Sequence, residues 1–364
     1  MTSPRLRIGI VACGDVTKRH YLPALALLAD RVELVGCSDP RLAAAEGVAA
    51  AVRAWSPTTR ACSSVAEMLS ETRPDAVFNL TPAPMHAVVS TELLEGGVHV
   101  YSEKPIAASV VEADRLIELA RAQSRLLMCA PAPATTAQHR RLAELIASGK
   151  LGRPTLISGQ SANMGPAGWL EYTGDASVFY GPGVGPVMDV GVYQLHQMTS
   201  LLGPVRRVSA VGTIAIAERT VLGGPNAGRK IAVTAPDHVL MNLEFVSGAL
   251  GRLLSSFAVP ATQAPWLEIQ LTEGTLSLAG DPWGPVQPAA VYALADNTWR
   301  PDDWTPPAGE QPLIGTGVAH FVACIRGEEK PVLTAEHARH VLEIVLGAYQ
   351  SINDGSAQDL LTKF

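Results

Sequence analysis

Three side chains able to move a proton and steady a charge, Lys104, Asp189 and Tyr193, stand in two short stretches of this 364-residue chain. Lys104 lies in Val100–Ile106 (V-Y-S-E-K-P-I). The apolar run Gly97–Tyr101 before it reads as a buried strand that delivers Glu103 and Lys104 to its carboxyl end, where Pro105, with its fixed φ, stops it. Ligands of open α/β sheets bind outside the carboxyl ends of the strands, so a lysine presented there can touch a substrate. A solvated lysine in a surface turn is the competing reading. Asp189, Tyr193 and His196 belong to Gly183–His196 (G-V-G-P-V-M-D-V-G-V-Y-Q-L-H). If this stretch is helical after Pro186, Asp189 and Tyr193 share a face, with His196 one turn further on. An amphipathic helix whose tyrosine caps a core has the same spacing.

The chemistry open to such a set is hydride exchange at a carbinol or carbonyl carbon. The hydride leaves only if the hydroxyl proton leaves too, which needs a general acid/base within hydrogen-bond reach. A tyrosine unperturbed titrates at about 10; a nearby ammonium favours its phenolate and steadies a developing alkoxide. Lys104 and Tyr193 fit these two roles, and Asp189 would fix a substrate hydroxyl or orient the pair.

The elements that must position Lys104 alternate strand and helix. Leu6–Val11 is a strand running into A-C-G-D-V-T (Ala12–Thr17) and a helix from near Lys18. Strand, glycine turn and helix form a pyrophosphate site, where backbone N–H groups and the helix dipole meet the phosphates. The fingerprint G-x-G-x-x-G is degraded here to A-x-G-x-x-T, with Gly14 alone retained. Val32–Cys37 is the second strand, and Asp39 after it stands at the spacing of the acidic partner of an adenosine ribose. Its carboxylate repels a 2′-phosphate and favours NAD over NADP, although Ser38 and Arg41 could each contact a phosphate; a turn residue before Pro40 is the plainer reading. Ser64–Glu67 and Ser109–Glu112 read as capping boxes. Ala76–Leu80 is a strand followed by T-P-A-P-M-H, a loop placed to lie along a cofactor, in which His86 caps or packs the next helix. Leu126–Ala130 is the last apolar strand. Repeated alternation of this kind means a doubly wound parallel sheet.

After a crossover at Pro131–Pro133 comes a helix over Thr136–Ser148, and then the period changes. Thr155–Asn163, Val205–Thr213, His238–Val246, Ala249–Phe257, Leu267–Leu271 and Thr275–Ala279 read as strands of one antiparallel sheet of about six strands with tight turns.

The bulk numbers exclude several classes. Hydrophobic residues make up 47% and charged residues 17%, a globular balance. The net charge of −6, without basic clusters, argues against nucleic-acid and anionic-membrane partners. No apolar run approaches the ~18 residues that span a bilayer, and Met1–Ile8 runs into a strand without a signal peptide's apolar region. The five cysteines (Cys13, Cys37, Cys62, Cys129, Cys324) form no C-x-x-C, which fits a reducing cytosol and no zinc site.

The glycine turn, S-D after the second strand, T-P-x-x-x-H, and E-K-P between a strand and a helix together resemble the Gfo/Idh/MocA family of NAD(P)-dependent oxidoreductases. Asp189–Tyr193 is similar to that family's D-x-G-x-H/Y pattern in its tyrosine form. Glycines 183 and 185, Leu202–Val205, Glu218–Thr220, Pro236–Val239 and the closing stretches Gly317–Gly327 and Thr334–Asp354 also match. The resemblance implies a Rossmann domain over residues 1–130 and a substrate-binding and oligomerisation α+β domain over 131–364, built on a large, mostly antiparallel open sheet. The same resemblance implies closing helices that pack back on the first domain. It implies catalytic Lys104, Tyr193 and Asp189, with Lys104 and Tyr193 acting together. Cofactor contacts fall on Gly14, Asp15, Val16, Ser38, Asp39, Thr81, Pro82, His86, Glu103 and Lys104, with the Glu103 carboxylate expected to be structural. Substrate contacts fall on His196, His238 and Trp169, the two histidines being open also to packing or to assisting the acid/base, and no metal is implied. The segment after Leu126–Ala130 reads P-A-P-A-T-T where relatives carry aromatic and basic residues; Trp169, Tyr172, Phe179 and Tyr180 could line the pocket instead, or pack the core.

The expected activity is hydride transfer between NAD, or alternatively NADP, and a carbinol or keto carbon of a sugar, cyclitol or related polyol. Two other readings share the cofactor: an epimerase or lyase without net redox, and a non-catalytic NAD(P)-binding sensor. The expected setting is cytoplasmic, as a homodimer or homotetramer formed through the C-terminal sheet.

Overall fold

Apolar strands capped by polar turns build the first sheet. Among the described residues it has six parallel strands: β1 (Leu6–Val11), β2 (Val32–Ser38), β3 (Arg60–Cys62), β4 (Ala76–Asn79), β5 (His99–Ser102) and β6 (Leu127–Cys129), in the order β3-β2-β1-β4-β5-β6. β1 pairs with β2 on one side and with β4 on the other. The strand order therefore reverses there, and the switch point lies outside the carboxyl ends of β1 and β4. Ile8, Ile10, Leu34, Val77, Phe78 and Val100 are completely buried, as strands covered on both faces must be.

This computed structural model describes residues 4–280 and 286–364. They divide into two units: the chain up to Thr135 with Gln311–Leu342, and Thr136–Glu310 with Glu343–Phe364. In the first unit the strands alternate with α1 (Leu22–Ala26), α2 (Leu42–Ala51), α3 (Val65–Thr72), α4 (His86–Glu95) and α5 (Val110–Ala122). Neither α2 nor β3 stands out in the sequence: an alanine run has little amphipathic contrast, and β3 is three residues long. The capping box at Ser109 is complete. At α3, Ser64 accepts the Glu67 N–H, but the Glu67 carboxylate reaches one residue further back, to the N–H and hydroxyl of Ser63.

A late helix, α8 (Leu313–Ile325), completes this unit, its Val318, Phe321 and Val322 joining the core of Ile8, Ile10 and Phe78. Phe321 lies 5.4 Å, centroid to centroid, from both Phe78 and Tyr101. Gly317 admits the Tyr101 ring: a Cβ there would come within 2.6 Å of its hydroxyl.

The second unit carries α6 (Ala137–Ala147) and α7 (Val192–Leu202) with β7 (Pro154–Ala162) and β8 (Val205–Thr213). A small hairpin, β9 (Glu218–Thr220) and β10 (Lys230–Ala232), follows, then β11 (His238–Phe245), β12 (Leu250–Ser256), β13 (Leu267–Leu271) and β14 (Gly274–Leu278). β15 (Ala290–Ala293), β16 (Thr298–Pro301) and β17 (Gln358–Asp359) bring the main sheet to nine strands among the described residues, in the order β16-β15-β14-β13-β7-β12-β11-β8-β17. The expectation of about six strands is thus corrected upward; the additional strands are short or, like β16, exposed throughout, and lack a clear alternation. Pairing is antiparallel except for β7 with β12. Alternation is plain in β11, where Val239, Met241, Leu243 and Phe245 are buried and Leu240 and Asn242 exposed. The last helix, α9, runs over Ala335–Asp354. No helix of the described residues is long and apolar enough to cross a membrane.

Candidate active site

The glycine turn is closed by side chains that stand where the fingerprint has glycines. Ala12 takes a left-handed φ of +73°, the conformation a glycine adopts most easily. The Thr17 hydroxyl donates to the Ala12 carbonyl at 2.7 Å and secures the bend. Helical structure begins at Asp15 and passes through a π turn, Thr17–Tyr21, into α1, earlier than the start near Lys18 expected from the sequence. A Cβ built on Gly14 meets no protein atom within 4 Å. The fold itself does not need a glycine there; the open space suits a ligand backbone or phosphate that approaches closely.

Asp39 lies beside this turn, nearly buried. Its Oδ2 accepts the Cys13 N–H at 3.0 Å, and its Oδ1 accepts the Arg41 N–H at 2.9 Å and the Arg41 Nε–H at 3.4 Å. Burial pushes the carboxyl upward, but these N–H groups and the guanidinium outweigh it and hold it below the usual carboxylate range. Ser38 Oγ is buried and has no hydrogen-bond partner. Space at Gly14, an orphaned hydroxyl at Ser38 and an ionised carboxylate at Asp39 together fit the turn and the ribose of a dinucleotide. Asp15 and Val16 sit in the first helical turn, with Asp15 paired to Arg19 at 2.9 Å.

The ends of β4 and β5 are tied together. Asn79, completely buried, donates its side-chain amide to the His86 carbonyl and to Ser90 Oγ, each at 3.0 Å, and its Oδ1 accepts the Thr81 hydroxyl at 2.6 Å. His86 opens α4 after a 3₁₀ turn, Ala83–Met85. Its Nδ1 lies 2.6 Å from the Pro105 carbonyl oxygen and its Nε2 2.7 Å from that of Thr81. The imidazole therefore staples the T-P loop to the E-K-P turn, and both ring nitrogens are occupied by protein carbonyls. Pro82 is exposed on the loop. The Lys104–Pro105 peptide is cis. Glu103 turns its carboxylate inward: Oε1 accepts the Tyr21 hydroxyl at 2.7 Å and Oε2 the Lys104 N–H at 3.1 Å.

In the second unit, the stretch with Asp189 and Tyr193 is not a regular α-helix. A π turn covers Val187–Gly191, and α7 begins at Val192. The four-residue spacing of Asp189 and Tyr193 thus crosses a widened turn, and the expected single α-helical face gives way to a bulged one. Two serines from the sheet hold the bulge: Ser255 Oγ donates to the Pro186 carbonyl at 2.8 Å and Ser161 Oγ to that of Val190 at 3.1 Å. Gly191 is required there, since a Cβ would lie 2.6 Å from Ser255 Oγ. Asp189 and His196 are buried and Tyr193 half-buried. The Tyr349 hydroxyl donates to the Val184 carbonyl. Burial and the Asp189 charge push the phenols of Tyr180 and Tyr349 upward.

A second clasp flanks this segment. Arg219 and Asp237 are both buried, Nη2 to Oδ2 at 2.8 Å. The same Nη2 donates to the Phe257 carbonyl at 2.6 Å and Nη1 to the Met164 carbonyl at 3.3 Å, while the guanidinium lies 5.6 Å from the centre of the Tyr180 ring. His238, next to Asp237, has Nδ1 2.7 Å from Ser256 Oγ. Tyr180 and Phe257 pack with Val190 in a small core on which Tyr172 and Phe179 rest. Trp169, 38% exposed, meets the Tyr172 ring at 6.0 Å. Among the described residues no group of three or more His, Cys, Asp or Glu could hold a metal.

The ten cofactor positions read from the sequence thus gather at the carboxyl ends of β1, β2, β4 and β5. Asp189, Tyr193 and His196 lie along one helical segment, with Val190 of that segment in the small core beneath the aromatic loop of Trp169. Tyr21, Asn79, Tyr349 and the Arg219–Asp237 pairing escaped the sequence reading. A polar Asn ending an apolar strand was a visible signal, and the Arg and Asp lie in stretches already matched to relatives; nothing in the sequence marks Tyr21 or Tyr349.

A doubly wound sheet with a glycine turn at its switch point, a buried carboxylate after the second strand and a lysine at a strand end is the arrangement of a dinucleotide-binding domain. Residues 6–130 match the model of the oxidoreductase family with NAD-binding Rossmann fold, and residues 139–277 match the Gfo/Idh/MocA C-terminal domain. The chain belongs to the Gfo/Idh/MocA family of NAD(P)-dependent oxidoreductases. It is 29% identical over 289 residues to dTDP-3,4-didehydro-2,6-dideoxy-alpha-D-glucose 3-reductase of Streptomyces antibioticus, covering 74% of this chain and 81% of that one. It is 24% identical to D-glucoside 3-dehydrogenase of Escherichia coli, over 99% of each. An NAD binding oxidoreductase from Klebsiella pneumoniae has the same fold, with a TM-score of 0.84 at 21% identity, over 99% of this chain and 100% of that one.

Proposed function

We propose that this chain transfers a hydride between NAD and a carbinol or keto carbon of a sugar or related polyol, with Lys104, Tyr193 and Asp189 as its catalytic residues. The observation that carries the proposal is the anchoring of Lys104: the backbone on either side of it is fastened to the helix of the glycine turn and to the loop after β4. The relatives named above, a sugar reductase and a glucoside dehydrogenase, support the substrate class. Gly14, Ser38, Asp39, Thr81 and Pro82 would hold the cofactor, which supplies or accepts the hydride when bound. Tyr193 takes the carbinol proton, or returns it in the reverse direction. The Lys104 ammonium steadies the alkoxide and favours the phenolate. Asp189 orients a substrate hydroxyl, and Trp169, with His196 and His238, contributes to the sugar pocket. Asp39 favours NAD; the exposed Arg41 is the residue that would admit NADP.

The exposed face of the large sheet supports a homodimer or homotetramer. Val211 and Leu240, cross-strand neighbours, are 68% and 50% exposed there. The free cysteines of the described residues fit a reducing, cytoplasmic setting.

The test is a panel of pyranosides and cyclitols with NAD and NADP, read as NAD(P)H absorbance. Turnover with NAD is expected, and Lys104→Ala should lower kcat/KM by about 100- to 1,000-fold with cofactor binding retained. Wild-type kcat/KM in that variant would remove Lys104 from the mechanism. Turnover without release of free NADH would favour an epimerase or lyase, and cofactor binding with no turnover a sensor.

A further inference from the structure

Tyr21 is the residue through which the helix of the glycine turn reaches the E-K-P turn. It closes the π turn Thr17–Tyr21, and its ring is completely buried, with centroids 5.5 Å from Phe78 and 6.4 Å from Tyr101. That packing leaves the hydroxyl pointing at Glu103 Oε1, 2.7 Å away. The other oxygen of the same carboxylate accepts the N–H of Lys104 at 3.1 Å. The backbone of Glu103 is fixed as well: its N–H donates to the Asn79 carbonyl at 2.9 Å, and its own carbonyl accepts the Ser102 hydroxyl at 3.0 Å. A partly buried carboxylate is costly unless it is hydrogen-bonded, and here each oxygen has a protein donor, one of them on the lysine itself.

We propose that Tyr21 and Glu103 are positioning residues for Lys104: Tyr21 orients the Glu103 carboxylate, and Glu103 holds the lysine backbone in register with the cofactor helix. This rests on the reading of Lys104 as catalytic. The π turn that Tyr21 closes is also in keeping with a site, since π bulges recur at functional sites.

Tyr21→Phe keeps the ring and removes the hydroxyl. With the full chain, NAD and methyl β-D-glucopyranoside, or the fastest pyranoside of the panel, kcat should fall by about 10- to 100-fold, the scale of a small misplacement of a catalytic group. The KM for NAD and the thermal midpoint should stay close to wild type, which a merely structural loss would not give. Glu103→Gln should lower kcat similarly, and the double variant should be no slower than Glu103→Gln alone. Hydrogen exchange of the peptide over Tyr101–Ile106 should quicken in Tyr21→Phe, independently of turnover. An unchanged kcat in Tyr21→Phe overturns the inference. Lys104→Met separates the two claims: a dead Lys104→Met beside a fully active Tyr21→Phe sinks the inference alone, whereas an active Lys104→Met sinks the catalytic reading and the inference with it.

Discussion

At Asp39 one carboxylate holds three protein hydrogen bonds, from the Cys13 N–H, the Arg41 N–H and the Arg41 side chain. It therefore shapes the glycine turn and, in the proposed dinucleotide site, sets the charge that a ribose would meet. Asp39→Asn keeps an oxygen acceptor and removes the charge. Placing like charges together costs several kcal/mol, so the ratio of kcat/KM with NADP to that with NAD should rise by about 10-fold or more. Arg41, released from its pairing, would add to the effect. Steady-state kinetics with both cofactors decide it, and an unchanged ratio would show that Asp39 does not face the 2′ position. The type of this residue and its place after β2 were legible in the sequence. Its bond to the Cys13 N–H was not, because that contact joins residues 26 apart in the chain.

Two helical segments that carry candidate residues, one in each unit, pass through a π turn near their start, Thr17–Tyr21 and Val187–Gly191. The sequence marks both as helix starts after glycine-bearing turns, yet periodicity cannot report an inserted residue held by partners on distant strands. Thr17 carries its own partner, whereas the second bulge depends on Ser161 of β7 and Ser255 of β12. Gly191→Ala would press a methyl group against Ser255 Oγ and break its bond to the Pro186 carbonyl, a loss of about 1–3 kcal/mol for the buried partner left unsatisfied, with the clash added. Ser255→Ala loses the same hydrogen bond but removes the 2.6 Å contact, leaving its Cβ 3.2 Å from the methyl position. The double variant should then cost less than the sum of the two singles by at least about 1 kcal/mol, as expected of residues in direct contact. Urea melts of the four proteins measure this coupling, and strict additivity would mean that the serine does not hold the bulge.

Across the chain as a whole, what sequence carries well is local: the strand-helix alternation, the Ser109 capping box and the strand spans of the second unit. It carries poorly the contacts made by segments far apart, such as α8 returning Phe321 to Phe78 and Tyr101, or β17 pairing with β8. Buried histidines belong with these long-range features, and one makes stability depend on pH. His139 of α6 is 5% exposed, its Nδ1 has no hydrogen-bond partner, and burial pushes its pKa down to about 4, against the opposing hydrogen bond with Gln197. The folded chain thus keeps His139 neutral where the unfolded chain, titrating at about 6.5, already binds a proton. Stability from this group is intact above pH ~6.5 and is lost as pH falls toward about 4, because the unfolded state binds more protons throughout that window. At ~1.4 kcal/mol per unit, the full loss is on the order of 3 kcal/mol. His99, also lowered by burial, and by Arg125, acts in the same direction. His139→Gln cannot titrate, so its stability relative to wild type should improve steadily from pH 7.5 to pH 4.5. Thermal melts of both proteins across that range test this, and parallel curves would show that His139 is protonated equally in the folded and unfolded chains.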